Sequence, residues 1–300
     1  MAPASAPPRL AYAAWISVCL IWGTTYLAIL VALETIPPML LGGLRFMAAG
    51  SVLCLLVLAR GGRLPPSREW ARQAALGTLL LGVGNGAVVW SELWIPSGIA
   101  AVAVAALPFW MSGTEAALGG DRLRGRVLVG LFAGFVGIVV LIWPSLFAAD
   151  ANVSRFGLGV LLVQVACLGW AVGSSMSRRT VSTAGTAAAS ALQQLFAGVL
   201  LLSVGTALGE WSELAFTLRT IAAELYLIVF GSLIAYSAYL YALNHLPVAT
   251  VSLYAYINPV IAVMLGTVFA GERFTPRIVA AAALVLGGVA IVRAAPRGGP

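Results

Sequence analysis

Apolar residues run through this chain in long unbroken blocks, and charges and prolines collect in the short gaps between them. A membrane's hydrocarbon core of about 30 Å takes about 20 apolar residues of helix. Read against that length, the blocks predict ten spans: roughly 11–32, 38–59, 72–91, 97–118, 126–145, 157–177, 185–208, 221–243, 247–269 and 277–294. The longest connections, near 60–71, 146–156 and 209–220, are too short for a soluble domain. Met1 to Arg9 is a Pro/Ala-rich tail with no cleavage-site pattern after it, so the first helix is read as retained. The expected class is an all-α, multi-pass membrane protein.

Composition strengthens this reading. Of 300 residues, 61% are hydrophobic and 9% charged, with mean hydropathy +1.00, whereas soluble domains hold about 25% charged residues. The formal charge of +7 comes from 17 arginines and no lysine. If the N-terminus is cytoplasmic, 12 of the 17 arginines fall in cytoplasmic segments, among them Arg60, Arg63, Arg68, Arg122, Arg124, Arg126, Arg178 and Arg179. Outside lie Arg155, Arg219, Arg273 and Arg277. This positive-inside bias puts both termini in the cytoplasm, and the basic balance therefore reports topology and excludes nucleic acid as a partner. Cys19, Cys54 and Cys167 lie in apolar runs without metal or disulfide spacing and are expected to pack.

Two stretches repeat one another. Residues 95–122 read IPSGIAAVAVAALPFWMSGTEAALGGDR, and a shift of 151 superposes Pro96 on Pro247, Pro108 on Pro259, Gly120 on Gly271, Asp121 on Glu272 and Arg122 on Arg273. Gly137 also falls on Gly288. Each copy holds five expected spans, an odd number, so the second enters the membrane in the opposite sense. Corresponding proline breaks in an inverted repeat point to a substrate site at the repeat interface. Pro108 and Pro259 are therefore expected to be conformational hinges beside a transport pathway, each lying near half depth in its span.

With these paired motifs, CLIWGTTYLA in the first span and LRFMAAG in the second, the chain resembles the EamA-type branch of the drug/metabolite transporter superfamily over essentially its whole length. It is similar to bacterial exporters of amino acids, including aromatic ones. The resemblance implies two inverted five-helix repeats, at 9–147 and 157–294, around a central cavity. It also implies a bacterial inner-membrane location, export of small metabolites by alternating access, and a protein working as a monomer among membrane lipids. A drug or other small-metabolite transporter of the same superfamily, or a passive facilitator, is the alternative reading. At the 151 offset Trp90, Ser91 and Glu92 meet Tyr241, Ala242 and Leu243, so the two halves of the cavity differ in chemistry.

Polar and aromatic residues stranded in the spans supply the expected substrate contacts. Trp22 and Thr24 in the first span have an echo in Trp170 and Ser174 of the sixth, with small hydroxyl residues that either pack or bind. Asn85 stands between glycines in the third span, facing a cavity or bonding a neighbouring helix. Trp110, Tyr236, Tyr254 and Asn258 complete the set, the tyrosines being too deep for the interfacial role usual for this residue. Gln164, Gln193 and Gln194 face the cavity or bond across helices. Two membrane-embedded charges stand out, because such groups are costly in lipid. Arg45 snorkels, bonds carbonyls, pairs with Glu34 or Glu92, or binds a substrate carboxylate. Glu115 responds to protons, or is solvated or paired with Arg122, Arg124 or Arg126. Gly130 and Gly134, with Gly287 and Gly288, are expected to permit close helix packing.

No constellation suits an enzyme. The single histidine, His245, falls in a short turn and is expected to cap it. The sequence offers no metal cluster, phosphate loop or cofactor site, and the expected ligand is a small molecule, with amino acids favoured by the neutral, tyrosine- and tryptophan-rich lining.

Overall fold

The computed structural model describes residues 8–118, 151–246, 248–271 and 275–294, with scattered positions between 129 and 143. Among the described residues the secondary structure is wholly helical. The long elements are α1 (Pro8–Ala32), α2 (Pro38–Ala59), α3 (Ser67–Ser91), α4 (Ser97–Ala117), α5 (Ala151–Arg179), α6 (Thr186–Ala207), α7 (Leu218–His245), α8 (Tyr254–Ala270) and α9 (Pro276–Ala294). Seven of them, α1 to α7, are long and apolar enough to cross a membrane, while the apolar helices Ile257–Ala270 and Pro276–Gly288 are shorter. Half of the expected fifth span, and the Asp121-Arg122 and Glu272-Arg273 pairs, lie outside the described residues.

The α2–α6 seam is built from small residues. A Cβ on Gly50 would lie 2.9 Å from the Leu195 backbone nitrogen, and one on Gly198 would lie 2.8 Å from that of Met47. Only glycine permits so close an approach. The two contacts are mates, since a shift of 148 carries Met47 to Leu195 and Gly50 to Gly198. The same shift carries Trp22 to Trp170. Gly288 of α9 likewise approaches Gly130 and Gly134, its Cβ position lying 2.5 Å from the Gly130 carbonyl oxygen, whereas a Cβ on Gly287 would meet nothing within 4 Å, so close packing falls to Gly288 and not to its neighbour.

Both copies also widen the same helix. α3 contains a π-helical segment at Thr78–Val83 and α7 one at Leu227–Tyr236. Moved by 151, the first falls inside the second. Such segments misalign the ladder of backbone hydrogen bonds and often sit at functional sites.

The proline breaks are shaped differently from a simple kink. In α4 the helix stops at Val104 and restarts at Leu107, with Pro108 in the first turn of the new segment, where its missing N–H costs nothing. Pro259 lies inside α8, and the interruption comes upstream at Ser252–Leu253, after the short turn Val248–Val251. Several of the carbonyls freed at these breaks are taken up by protein. Gln164 Nε2 donates to Ala103 O (3.3 Å), Cys167 Sγ to Val104 O (3.9 Å), and Trp15 Nε1 to Val251 O (3.2 Å). A buried carbonyl without a partner is expensive in a membrane, which is why side chains of α5 and α1 reach across.

Candidate functional site

These seams surround a central cavity. α1 contributes Trp22, Thr25 and Tyr26; α2, Arg45 and Phe46; α3, Asn85; α5, Cys167 and Trp170; α7, Gly231 and Tyr236; α8, Tyr254 and Asn258. Of the residues singled out from sequence, Trp22, Arg45, Asn85, Trp170, Tyr236, Tyr254 and Asn258 are thus brought together.

Their aromatic rings form one connected wall. Trp22 meets Trp170 edge-on at 5.3 Å between centroids, Tyr254 at 5.0 Å and Tyr239 at 5.2 Å. Most polar tips of this wall are engaged by protein. Trp22 Nε1 donates to the Gly231 carbonyl (3.2 Å) and Trp170 Nε1 to the Tyr239 hydroxyl (2.9 Å). The Tyr236 hydroxyl donates to Gln193 Oε1, and Gln193 Nε2 donates to Gln73 Oε1 at 2.7 Å. Ring surface, rather than hydrogen-bonding capacity, is what these side chains present to the cavity. Asn258, with its amide nitrogen donating to the Cys19 and Tyr254 carbonyls at 3.0 Å each, ties α1 to α8 next to Pro259.

Polar capacity is left over at two lining residues. Asn85 Oδ1 is buried without a partner. Arg45 donates through Nε to Ser232 Oγ (2.7 Å), while its Nη1 is buried and unpartnered. Of the partners foreseen for Arg45, Glu34 instead pairs with Arg219 at 3.0 Å, and Glu224 is a carboxylate that interacts electrostatically with Arg45. Room for the guanidinium comes from Gly231, where a Cβ would stand 2.7 Å from Nη2.

Other expected contacts lie elsewhere. Thr24 bonds the Tyr226 hydroxyl (2.5 Å) and the Ile21 carbonyl, holding α1 to α7. Ser174 is fully buried against Tyr239 (2.7 Å) and acts behind the wall. Trp110 donates to Gln164 Oε1 (3.0 Å) within the α4–α5 seam. These three are absent from the cavity lining because each hydroxyl or indole finds a nearer partner in a neighbouring helix. Glu115 forms a surface ion pair with Arg179 at 3.1 Å, rather than with an arginine of the 122–126 cluster. His245 bonds the Tyr241 carbonyl (2.8 Å) and stacks on its ring, closing the end of α7 as expected. Among the described residues no cluster of three or more His, Cys, Asp or Glu side chains is placed to hold a metal.

Sequence reasoning missed three participants: Tyr26, Gln73 and Glu224. Tyr26 carried a readable signal as a lone tyrosine in an apolar block, and Tyr239 stands in the tyrosine cluster with Tyr236 and Tyr241. For Glu224 the signal was the repeat, since Gln73 moved by 151 lands on it. The Gln73–Gln193 pair lines a second, smaller space. Through the Tyr236 hydroxyl the pair also touches the lining of the first, and so stands between the two.

The model of the EamA-like transporter family matches twice, at residues 9–143 and 157–294. The "Uncharacterized inner membrane transporter YedA" of Escherichia coli (strain K12) is 37% identical over 265 residues, covering 88% of this chain and 84% of that protein. The "Probable amino-acid metabolite efflux pump" of Salmonella typhimurium (strain LT2) is 26% identical over 290 residues, 91% of each chain. A solved crystal structure at 24% identity superposes with TM-score 0.68 over 94% of this chain and 96% of its own, which shows a shared fold. With two family matches over most of the sequence, and a cavity enclosed by apolar helices from both, the chain belongs to the EamA-like transporter family: it is a membrane transporter and not an enzyme.

Proposed function

We propose that the protein exports small metabolites across a bacterial inner membrane, foremost amino acids with aromatic or other apolar side chains. The carrying observation is the chemistry of the central cavity: a wall of rings whose polar tips are mostly engaged, beside unpartnered atoms of Arg45 and Asn85. An apolar side chain lies against Trp22, Trp170, Tyr236 and Tyr254, and a polar head meets Asn85 and Arg45. A relative named as an amino-acid metabolite efflux pump supports the same substrate class. Ten spans in two inverted repeats, 9–147 and 157–294, both termini cytoplasmic, and a monomeric working unit complete this reading. Alternating access follows as the repeats exchange packing around the cavity, with Pro108 and Pro259 as hinges.

The test is uptake of labelled aromatic and aliphatic amino acids into proteoliposomes of purified protein, with and without excess unlabelled substrate trapped inside. Stimulation by trapped substrate is expected for an alternating-access carrier. Absence of uptake above empty liposomes, by folded protein, would reject amino acids as substrates.

A further inference from the structure

The shift of 148 that superposes Trp22 on Trp170 also carries Arg45 to Gln193, and the shift of 151 that superposes Pro108 on Pro259 carries Gln73 to Glu224. Arg45 and Glu224, on α2 and α7, therefore hold the positions that Gln193 and Gln73 hold on α6 and α3. The amide pair is closed at 2.7 Å. The charged pair is not: Arg45 and Glu224 interact electrostatically, yet Arg45 Nη1 and both Glu224 carboxylate oxygens lack any hydrogen-bond partner. Both residues are deeply buried, at 3% and 7% exposure. Arg45 is held from its other side by Ser232 and lines the cavity, so Nη1 is left over at a fixed place. Burying opposite charges without closing them on each other is unfavourable. A molecule carrying an anion and a cation a few bonds apart satisfies both at once and keeps the site neutral.

We propose that Arg45 and Glu224 form a head-group site for zwitterions, Arg45 Nη1 receiving a carboxylate and Glu224 an ammonium group. This rests on the amino-acid reading of the cavity and adds to it the residues that recognise the head. A substrate with only one of the two charges leaves its counterpart buried and unpaired, so the pair rejects simple amines and simple acids by what they lack.

The experiment is thermal stabilisation of the purified full-length protein, titrated with L-phenylalanine, 2-phenylethylamine (no carboxylate) and 3-phenylpropionate (no ammonium). In the unsubstituted protein each truncated probe binds about tenfold more weakly or worse, the usual consequence of leaving a buried charged partner unmatched. Glu224→Gln weakens phenylalanine and relieves the penalty on 3-phenylpropionate, so that the two bind alike. Arg45→Gln does the same for phenylalanine and 2-phenylethylamine. The double variant Arg45→Gln/Glu224→Gln recreates the neutral pair of the other copy, so it folds, and it no longer distinguishes the three probes. Equal weakening of all three probes by both single substitutions would overturn the proposal and leave the pair a latch between helices. Loss of ammonium preference in Asn85→Leu, but not in Glu224→Gln, would overturn it in favour of Asn85. If phenylalanine fails to bind the unsubstituted protein, the amino-acid reading falls. Stabilisation by taurine, β-alanine or 4-aminobutyrate that is lost in Glu224→Gln would still uphold the zwitterion site, whereas stabilisation by none of them overturns it too.

Discussion

Replacing Gly231 with alanine sets a local helix effect against a site effect of opposite sign. In an ordinary helix interior the change stabilises by about 1 kcal/mol. Here the added Cβ falls 2.7 Å from Arg45 Nη2, 3.3 Å from Thr25 Cγ2 and 3.4 Å from Arg45 Cζ. Non-bonded heavy atoms settle at about 3.5 Å or more, so the guanidinium must retreat by roughly 0.8 Å. Its Nε donates to Ser232 Oγ at 2.7 Å from the adjoining residue of the same helix. Retreat stretches that bond toward about 3.5 Å, where little of it remains. Losing a hydrogen bond to a charged group costs about 1.5–3 kcal/mol. Net destabilisation of about 0.5–2 kcal/mol is therefore expected, with the helix gain deducted. Substrate counterflow falls by about tenfold or more, because the same displacement moves Nη1 out of register with the cavity. Thermal melting and counterflow are measured on one preparation. A raised melting temperature with full counterflow would refute the reasoning, since it would mean that Gly231 does not confine Arg45.

Three further substitutions probe other parts of the structure. Gly50→Ala forces α2 off α6 against the Leu195 backbone and should destabilise by about 1–3 kcal/mol, as overpacking does; an unchanged melting temperature would show that the seam has slack. Tyr239→Phe strips the acceptor from the buried Trp170 indole and should cost about 1–3 kcal/mol in the same melting assay, with wild-type stability counting against a hydrogen-bonded wall. Glu115→Gln removes only a half-exposed ion pair with Arg179 and should shift stability by no more than about 1 kcal/mol. It should also leave the dependence of uptake on a pH gradient intact, and a lost dependence would restore Glu115 as a proton site.

Length and hydropathy exposed the helices that pack on their own terms, and motif spacing exposed the repeat, because both signals lie along one strand of sequence. The cavity residues that sequence reasoning found, Trp22, Trp170, Tyr236, Tyr254 and Asn258, were conspicuous as large or polar groups in apolar runs. Thr24, Ser174 and Trp110 were equally conspicuous but face partners on neighbouring helices, and a sequence does not reveal which way a helix is turned. Glu224 was hidden by the opposite fault. It falls near the beginning of an apolar block, where a charge reads as the edge of a span, and only its burial and its electrostatic interaction with Arg45 mark it out. The π segments were illegible for a further reason: Thr78–Val83 and Leu227–Tyr236 are apolar runs that read like the rest of their spans.

The two copies agree in backbone and in close packing but diverge in polarity, and the divergence is ordered. Some mates stay alike: Gly50 and Gly198 line one seam, and Trp22 meets Trp170 ring to ring at 5.3 Å. Others part company: Asn85 answers to Tyr236, Gln73 to Glu224 and Arg45 to Gln193. A ring packed on its own mate must suit both copies at once, whereas a polar position that meets a different partner in each copy is free to specialise. Two similar copies thus line the cavity unequally, and a substrate's head and side chain are not interchangeable within it.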